Sequence, residues 1–494
     1  MKKLLWLFII CLMIVSMLVL AACGGRSKEA PAEESVPEIV DSAPQTSPPT
    51  TPSLPPALPL PPTPPPPPIA PLFESLDFVA AAFARVKAIW DEDDGDLWGF
   101  PLHTPLLIAD ELTREAVANM PDSQGILKKH GELDVYVGVL PDDVLIFNTA
   151  VSFDNTKWSM MTWNLLASYD YDETWIVRVL VHEALHAVQS RIVAGGSSAL
   201  NIEHMYNADA RISVFMEINA LFAALRATGG ERLAAVNDAL SVRAERRQNY
   251  PRGERVENTF EVLEGMAQFT EMILVFKETE VILDALYNDI VKGYYTHMMG
   301  GFGYTTGALY YMLLNEADSN WQQGSRLGIG NDLGGRLRQV LGINELTPYN
   351  QLDLEKYGYS RVAPGQTAWA ENFVKIRAQG EVAMNEQPNL RLLGYGHFES
   401  GTADAVDAIF HIPLRGTVYY GSFAIVGPNF RLELRNGFVS FPFNPDGVRV
   451  GAAVDIVVDE GGMWAAAPTW ALMVTDDDYV IKTLDDGLIE IVRR

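Results

Sequence analysis

The sequence predicts an α+β protein, in which a mostly helical part with a short β-sheet subdomain is followed by a small antiparallel β domain. Three observations predict this order. Apolar residues recur at helical spacing through most of residues 172–379, two strand-like runs lie between residues 133 and 163, and short alternating runs follow residue 386. We therefore expect the helical part to span residues 72–384 and the β domain to span residues 385–494.

The N-terminus has the pattern of a secretory signal. A basic start precedes an apolar run over residues 4–20, and the small residues of "LAAC" end at Cys23. This motif resembles the bacterial lipobox, which implies that residues 1–22 are removed as a signal peptide and that Cys23 carries lipid. An uncleaved membrane helix is the alternative, although the run is barely long enough to span. We expect an extracytoplasmic protein that is anchored to the cell membrane by lipid.

Residues 23–71 are predicted to be a disordered stalk. They hold more than half of the chain's 30 prolines, with "PPTPPPPP" at the centre. Such a composition cannot form a core and favours polyproline II, which extends about 3 Å per residue. The stalk would hold the folded part away from the membrane. The only cysteine besides Cys23 is Cys11, inside the signal, so any metal in the mature chain must be held by His, Glu or Asp.

The charge balance argues against nucleic acid as a partner. The chain has 37 basic and 63 acidic residues, for a formal net charge of -26. A surface this acidic repels phosphate groups and the anionic face of a membrane. We expect the lipid on Cys23, rather than the protein surface, to make the membrane contact.

The stretch "VLVHEALHAVQ" carries the residues with the most specific chemical pattern. It lies in a predicted helix over residues 173–196, with Asp172 or Thr174 as the N-cap and glycines 195 and 196 as the stop. Two histidines four residues apart share one helix face, so His182 and His186 can bind one zinc ion. Glu183 lies beside the first histidine and can hydrogen-bond a water held by the metal. The alternative is a pair of surface histidines, but the flanking residues are apolar.

A third protein ligand must come from elsewhere in the chain. The candidates that follow the motif are Glu203, His204, Asp209, Glu217, Glu261 and Glu264. Glu264 is favoured because Gly265 follows it inside a predicted helix, where glycine lowers helix stability by about 1 kcal/mol and indicates a close packing contact. We expect this helix to pack through Gly265 against the helix that carries the histidines.

These motifs resemble the gluzincin zinc metallopeptidases. The resemblance lies in "HEALH", in "LEGMA" around Glu264, and in "YTTGA" at residues 304–308, which occur in the order seen in that family. It implies a zincin-like domain over residues 72–384 that hydrolyses a peptide or protein substrate with zinc as the cofactor. By resemblance, His182, His186 and Glu264 are the zinc ligands, Glu183 is the general base, and Tyr304 stabilises the oxyanion.

Two departures from the family pattern modify this prediction. The separation between His186 and Glu264 is long, which predicts two inserted helices over about residues 200–247 and leaves Glu203 and His204 as rival third ligands. The G-x-M-E-N element, which anchors the substrate's N-terminus in aminopeptidases, is absent, and this favours an endopeptidase.

Further residues are predicted to support the site. A carboxylate should hold one histidine tautomer; Glu261 and Asp209 are candidates, unless both are solvated helix charges. By analogy with the zincins, the strand-like "NTAVSF" at residues 148–153 is expected to be a sheet edge along which an extended substrate pairs.

Two other functions fit the same sequence. One is a surface binding or adhesion lipoprotein with a structural metal site, in which the β domain recognises the partner. The other is a zinc hydrolase that acts on a bond other than a peptide. The glutamate at position 183, which a structural metal site does not need, favours an enzyme.

Overall fold

The computed structural model describes residues 71–494 with short gaps. The gaps are residues 112, 142, 169–171, 195–202, 292–300, 319–326, 329–330, 387–389, 393–396, 399–405, 413–414, 428, 441–447, 452–454 and 484–488. The predicted signal peptide (residues 1–22), Cys23 and the stalk up to residue 70 lie outside the described residues. Within the described ranges, no helix combines the length and the hydropathy needed to cross a membrane.

The protein is a mixed α/β protein with a helical region followed by β-strands. The α-helices are α1 (Leu76–Asp93), α2 (Trp163–Ser168), α3 (Glu173–Val188), α4 (Ala208–Arg226), α5 (Gly229–Asn249), α6 (Glu254–Phe260), α7 (Met266–Phe276), α8 (Thr279–Val291), α9 (Phe302–Ala317), α10 (Leu333–Val340) and α11 (Tyr359–Asn385). A π-helical turn, Glu261–Gly265, joins α6 to α7. The predicted helical runs around residues 211–230 and 257–276 are thus confirmed.

The first sheet lies at the start of the described chain. Its strands are β1 (Leu106–Ala109), β2 (Glu115–Ala118), β3 (Lys128–Lys129), β4 (Tyr136–Val139), β5 (Thr149–Phe153) and β6 (Thr156–Thr162). They are arranged in the order β3-β4-β2-β1-β6-β5, and every pair is antiparallel except β1 with β6. Strand β5, predicted to be a sheet edge, pairs with β6 and lies at the edge. Helix α3 packs against β5 and β6.

The sheet is larger than the sequence predicts. The two strand-like runs correspond to β4 and β5, but β1, β2 and β6 were not singled out. All four residues of β1 are buried, so its sequence "LLIA" lacks the alternation typical of a strand with one exposed face.

Helix α3 ends earlier than predicted. It stops at Val188 rather than at the glycines of residues 195 and 196, which lie outside the described residues. A 3-10 turn follows at Gln189–Arg191, and Val193–Ala194 then forms the short strand β7, which pairs in parallel with β8 (Leu327–Gly328). This strand pairing replaces the predicted last helical turn.

The C-terminal strands form two antiparallel sheets. The strands are β9 (Leu390–Leu392), β10 (His397–Phe398), β11 (Val406–Ile412), β12 (Gly416–Gly421), β13 (Ala424–Val426), β14 (Phe430–Leu434), β15 (Gly437–Ser440), β16 (Val448–Val450), β17 (Val457–Val458), β18 (Trp464–Ala467), β19 (Trp470–Val474), β20 (Tyr479–Thr483) and β21 (Ile489–Arg493). The sheet orders are β10-β13-β14-β19-β18-β17 and β11-β12-β15-β16-β9, with β20 and β21 as a hairpin. Residues of both sheets share one apolar core, as in a β-sandwich.

Helix α11 connects the two parts of the chain. It packs against α4 on one side and against β11, β12 and β15 on the other. Phe373 and Met384 lie in an apolar cluster with Phe410 and Phe438 of the strands.

Candidate metal centre

Helix α3 carries both histidines of the motif on its inward face. It begins after Asp172, whose side chain accepts a 2.8 Å hydrogen bond from the backbone N–H of Trp175. Of the two predicted N-caps, Asp172 is therefore the one used. His182 is buried and His186 is partly buried, because this face packs against the sheet and against α7.

Glu264 joins the two histidines from a distant part of the chain. The Nε2 atoms of His182 and His186 lie 3.2 Å apart. Glu264 Oε2 lies 3.3 Å from Nε2 of His186 and 3.6 Å from Nε2 of His182. Within the described part of the chain, these residues form the one group of three potential metal ligands whose ligand atoms all lie within 4.8 Å of one another. The structure thus brings together the three residues that the sequence predicted as ligands.

The remaining ring nitrogen of His182 is held by a carboxylate that the sequence analysis missed. His182 Nδ1 lies 3.1 Å from Glu271 Oε2 in α7. The other oxygen of Glu271 accepts hydrogen bonds at 3.1 and 2.8 Å from the guanidinium of Arg178. Burial raises the pKa of Glu271, but Arg178 outweighs this effect and lowers it, so the carboxylate is ionised and accepts a hydrogen bond from the Nδ1–H group of His182. This hydrogen bond fixes the proton on Nδ1, so Nε2 is the ring nitrogen that faces the other ligands.

His186 is oriented in the same way by an amide. Its Nδ1 lies 3.0 Å from Gln189 Oε1. The amide nitrogen of Gln189 donates to the carbonyl of Leu263 at 2.8 Å, so the amide oxygen is the atom that faces the histidine. Both imidazoles therefore direct Nε2 toward Glu264.

Helical spacing is the signal that could have identified these supporting residues. Glu271 follows Glu264 by two turns of a helix, and Arg178 precedes His182 by one turn, so each pair lies on one face. The predicted supports have other roles. Glu261 is fully buried and pairs with Arg243, and Asp209 accepts a hydrogen bond from the Tyr250 hydroxyl.

Burial and neighbouring charges shift the pKa values of the three candidate ligands in opposite directions. Burial lowers the pKa of His182, but hydrogen bonds to Glu264 and Glu271 raise it to about 10. Burial raises the pKa of the Glu264 carboxyl, and His186 outweighs this effect and holds the pKa well below its ordinary value. Glu264 thus requires a positive partner, and a divalent cation would compete with the imidazole protons for that role.

The donor set fits zinc. Tetrahedral zinc with bonds of 2.0 to 2.1 Å requires ligand atoms about 3.3 to 3.4 Å apart. The three measured separations, between 3.2 and 3.6 Å, are close to this value. Two imidazole nitrogens and a carboxylate oxygen, each histidine fixed through Nδ1, match the ligand types that zinc takes in proteins.

Glu183 lies beside the ligands and is buried. Its Oε2 atom is inaccessible to solvent and has no hydrogen-bond partner among the described groups. Burial raises the pKa of its carboxyl, and the neighbouring His186 and His182 lower it only in part. A buried carboxylate oxygen without a partner costs about 1 to 3 kcal/mol or more, so its presence beside the three potential ligands calls for an explanation.

Tyr304 approaches the site from the first turn of α9. Its ring is stacked on that of His182, with centroids 5.7 Å apart and an angle of 15° between the planes. The close approach of α9 depends on glycines. A Cβ built at Gly265 would lie 2.5 Å from the Cα of Gly307 and 2.8 Å from the carbonyl oxygen of Gly303.

The predicted packing role of Gly265 is therefore correct, but its predicted partner is wrong. The glycine packs against α9 rather than against α3. Helix α7 does pack against α3, through the residues that follow Gly265.

The rival third ligands lie elsewhere. His204 is buried, and its Nε2 lies 2.9 Å from Glu257 Oε1. Glu203 is exposed, and neither residue belongs to the group of potential metal ligands around His182.

A cavity of about 620 Å³ runs along the edge strand β5. Its lining includes Val144, Phe147, Val151 and Phe153. Strand β6 links this edge to the histidines, because the Lys157 ammonium donates to the carbonyl of His186 at 3.2 Å.

Comparison with known proteins identifies no relative of this chain, since no protein-family model, curated protein or solved structure matches it.

Proposed function

We propose that this protein is an extracytoplasmic zinc-dependent peptidase of the gluzincin type, with a zincin-like fold and a preference for internal peptide bonds. Lipid on Cys23 would anchor it to the cell membrane. The main support is the buried, unpartnered carboxylate oxygen of Glu183 beside a triangle of potential ligands, His182, His186 and Glu264. A purely structural metal site does not need such a group.

His182, His186 and Glu264 would hold the metal. When bound, zinc supplies Lewis acidity, which polarises a carbonyl and makes water acidic at neutral pH. The ionised Glu271 and the amide oxygen of Gln189 each contact an Nδ1 atom, which directs both Nε2 atoms toward the position of the metal.

Glu183 would act as the proton carrier. It accepts a proton from the water that attacks the peptide carbonyl and then delivers this proton to the leaving amine. Burial raises the pKa of its carboxyl, which favours its holding a proton between the two steps.

Tyr304 would stabilise the negative charge that develops on the carbonyl oxygen. Its ring lies against His182, so the side chain is close to the reacting group. Removing one such donor commonly costs about 3 to 4 kcal/mol of transition-state stabilisation.

The substrate would bind as an extended strand along β5. This strand pairs with β6 on one side and lies at the sheet edge on the other. An added strand gains main-chain hydrogen bonds there, and the adjacent cavity can take its side chains.

The test is Glu183→Gln in the full chain, with Glu173→Gln as the control. Glu173 lies on the same helix but is exposed, with a side chain 53% accessible. Zinc content by elemental analysis and cleavage of a peptide library by mass spectrometry are measured for each protein. We expect wild type and Glu173→Gln to bind one zinc and cleave peptides. Glu183→Gln should bind one zinc and cleave nothing, because the base is lost and the ligands remain.

Equal cleavage by wild type and Glu183→Gln would refute the proposal. Zinc binding without cleavage by wild type would also contradict a peptidase and would favour a binding lipoprotein or a hydrolase of another bond.

A further inference from the structure

The segment that carries Glu264 is held from two sides. It is the π-helical turn Glu261–Gly265, a rare geometry that is often found at functional sites. Glu264 contacts the two histidines. Glu261 is 0% exposed and contacts residues of two other helices, Arg243 and Thr306. The position of Glu264 is therefore tied to the contacts of Glu261.

Arg243 of α5 forms a bidentate ion pair with Glu261. Its two terminal nitrogens lie 2.6 and 2.5 Å from Oε1 and Oε2 of Glu261. The same guanidinium donates to Glu217 Oε1 at 2.9 Å and lies over the ring of Tyr310, with 5.0 Å between its central carbon and the ring centroid. A bidentate pair fixes direction as well as distance, and burial prevents water from replacing it.

Thr306 of α9 adds a third contact to Glu261. Its hydroxyl donates to Glu261 Oε1 at 2.9 Å, and the residue is fully buried. The next residue, Gly307, lets the helices touch, because a Cβ there would lie 2.6 Å from the Glu261 carbonyl oxygen.

Among the described residues, a second arginine in the same network forms its ion pairs with residues outside the π-helical turn. Arg246 donates to Glu257 at 2.8 and 3.0 Å, and its remaining ion pair is with Glu217 at 2.6 Å. Like Arg243, it is almost completely buried. The two arginines lie on one helix in similar surroundings, and Arg243 is the one that forms an ion pair with Glu261.

The network explains the long interval between the histidines and Glu264. Helices α4 and α5 lie in this interval and supply Glu217 and Arg243. Buried ion pairs contribute little net stability, because desolvation offsets their attraction, so a precise positional role is a reason to build one.

We propose that Arg243 and Thr306 are positioning residues for Glu264, which act by holding Glu261 and thereby set the third ligand of the metal site. This inference rests on the proposed zinc site. On this proposal, helices α4 and α5 support the metal centre by holding Glu261 in place. Residues that support a metal ligand typically contribute 10- to 100-fold to metal affinity.

The test measures zinc affinity by competition with a chelator, together with the unfolding midpoint of the metal-free protein, in the full chain. Arg243→Lys keeps the charge but loses the bidentate grip, and Arg246→Lys is its matched control. We expect zinc affinity to fall about tenfold in Arg243→Lys and to stay unchanged in Arg246→Lys. A residue that only stabilised the fold would lower the midpoint without changing zinc affinity.

If Arg243→Lys does not fold, two variants of Thr306 test the positioning role instead. Thr306→Val removes the hydroxyl at nearly constant volume, and Thr306→Ser restores it. Thr259→Val is the control, since the Thr259 hydroxyl is buried but bonds to its own helix, at the Arg255 carbonyl. We expect weaker zinc binding in Thr306→Val, recovery in Thr306→Ser and wild-type affinity in Thr259→Val.

Two results would overturn the inference. If wild type binds zinc and all variants bind it equally, the positioning role is wrong and the zinc site stands. If wild type binds no zinc at all, the proposed function fails and this inference fails with it.

Discussion

Because Gly265 is in close contact with α9, we predict that Gly265→Ala lowers the stability of the protein, whereas an ordinary Gly→Ala substitution in a helix raises it. In an open helix position, Gly→Ala stabilises a protein by about 0.4 to 1 kcal/mol, because it reduces the freedom of the unfolded chain. At Gly265 the new Cβ would lie 2.5 Å from a backbone carbon of Gly307. An ordinary contact needs about 3.4 to 4 Å, so the two helices must separate by about 1 Å, and overpacking of this kind costs about 1 to 3 kcal/mol.

The matched control is Gly365→Ala in α11. Gly365 is exposed in a helix, and a Cβ there meets no described atom within 4 Å. We expect urea unfolding of the metal-free protein, followed by circular dichroism, to show a lower midpoint for Gly265→Ala and a slightly higher one for Gly365→Ala. Zinc affinity should also fall in Gly265→Ala, because the neighbouring Glu264 moves with the backbone. An unchanged or higher midpoint for Gly265→Ala, with wild-type zinc affinity, would show that the helices do not touch there.

Three further predictions concern single side chains. Glu271→Gln should weaken zinc binding about 10- to 100-fold in chelator competition, since His182 loses the carboxylate that fixes its tautomer, and wild-type affinity would contradict this role. Burial raises the pKa of Glu257, but Arg246 outweighs it and holds the pKa well below the ordinary value of 4.5. The stability contributed by the ionised Glu257 is present above pH 4.5 and is lost as the pH falls through its pKa in the folded state. Glu257→Gln should therefore flatten the acid side of a plot of urea midpoint against pH. An unchanged slope would argue against this contribution. Asp172→Ala should lower the free energy of unfolding by about 1 kcal/mol through loss of the α3 cap, and a change near zero would mean that the helix begins elsewhere.

The candidate site could be predicted well where its residues are linked by local spacing. His182 and His186 are one helical turn apart, so their convergence follows from helix geometry alone. The sequence also indicated that Gly265 makes a close approach, because glycine is unfavourable inside a helix. Which helix it approaches depends on a crossing that no local pattern contains, and the predicted partner was wrong.

The first sheet also shows which strands a local pattern can predict and which it cannot. Strand β5 was predicted from a strand-like run and its edge position by analogy with the zincins, and the structure has it at the edge. Strand β1 is buried on both faces and reads as a short apolar run, so periodicity could not separate it from a helix segment.

Local patterns in the sequence were enough to predict the helical region, the C-terminal strands and the pair of histidines, whereas Glu264 was favoured through Gly265 and the resemblance to the gluzincins. The local predictions were possible because each depends on the period of nearby side chains or on the backbone preferences of one residue. Only the folded chain shows that Glu271 holds the imidazole of His182 and that Arg243 reaches Glu261. Contacts of this kind join residues far apart in the chain, and they depend on helix crossings that only the packed core defines.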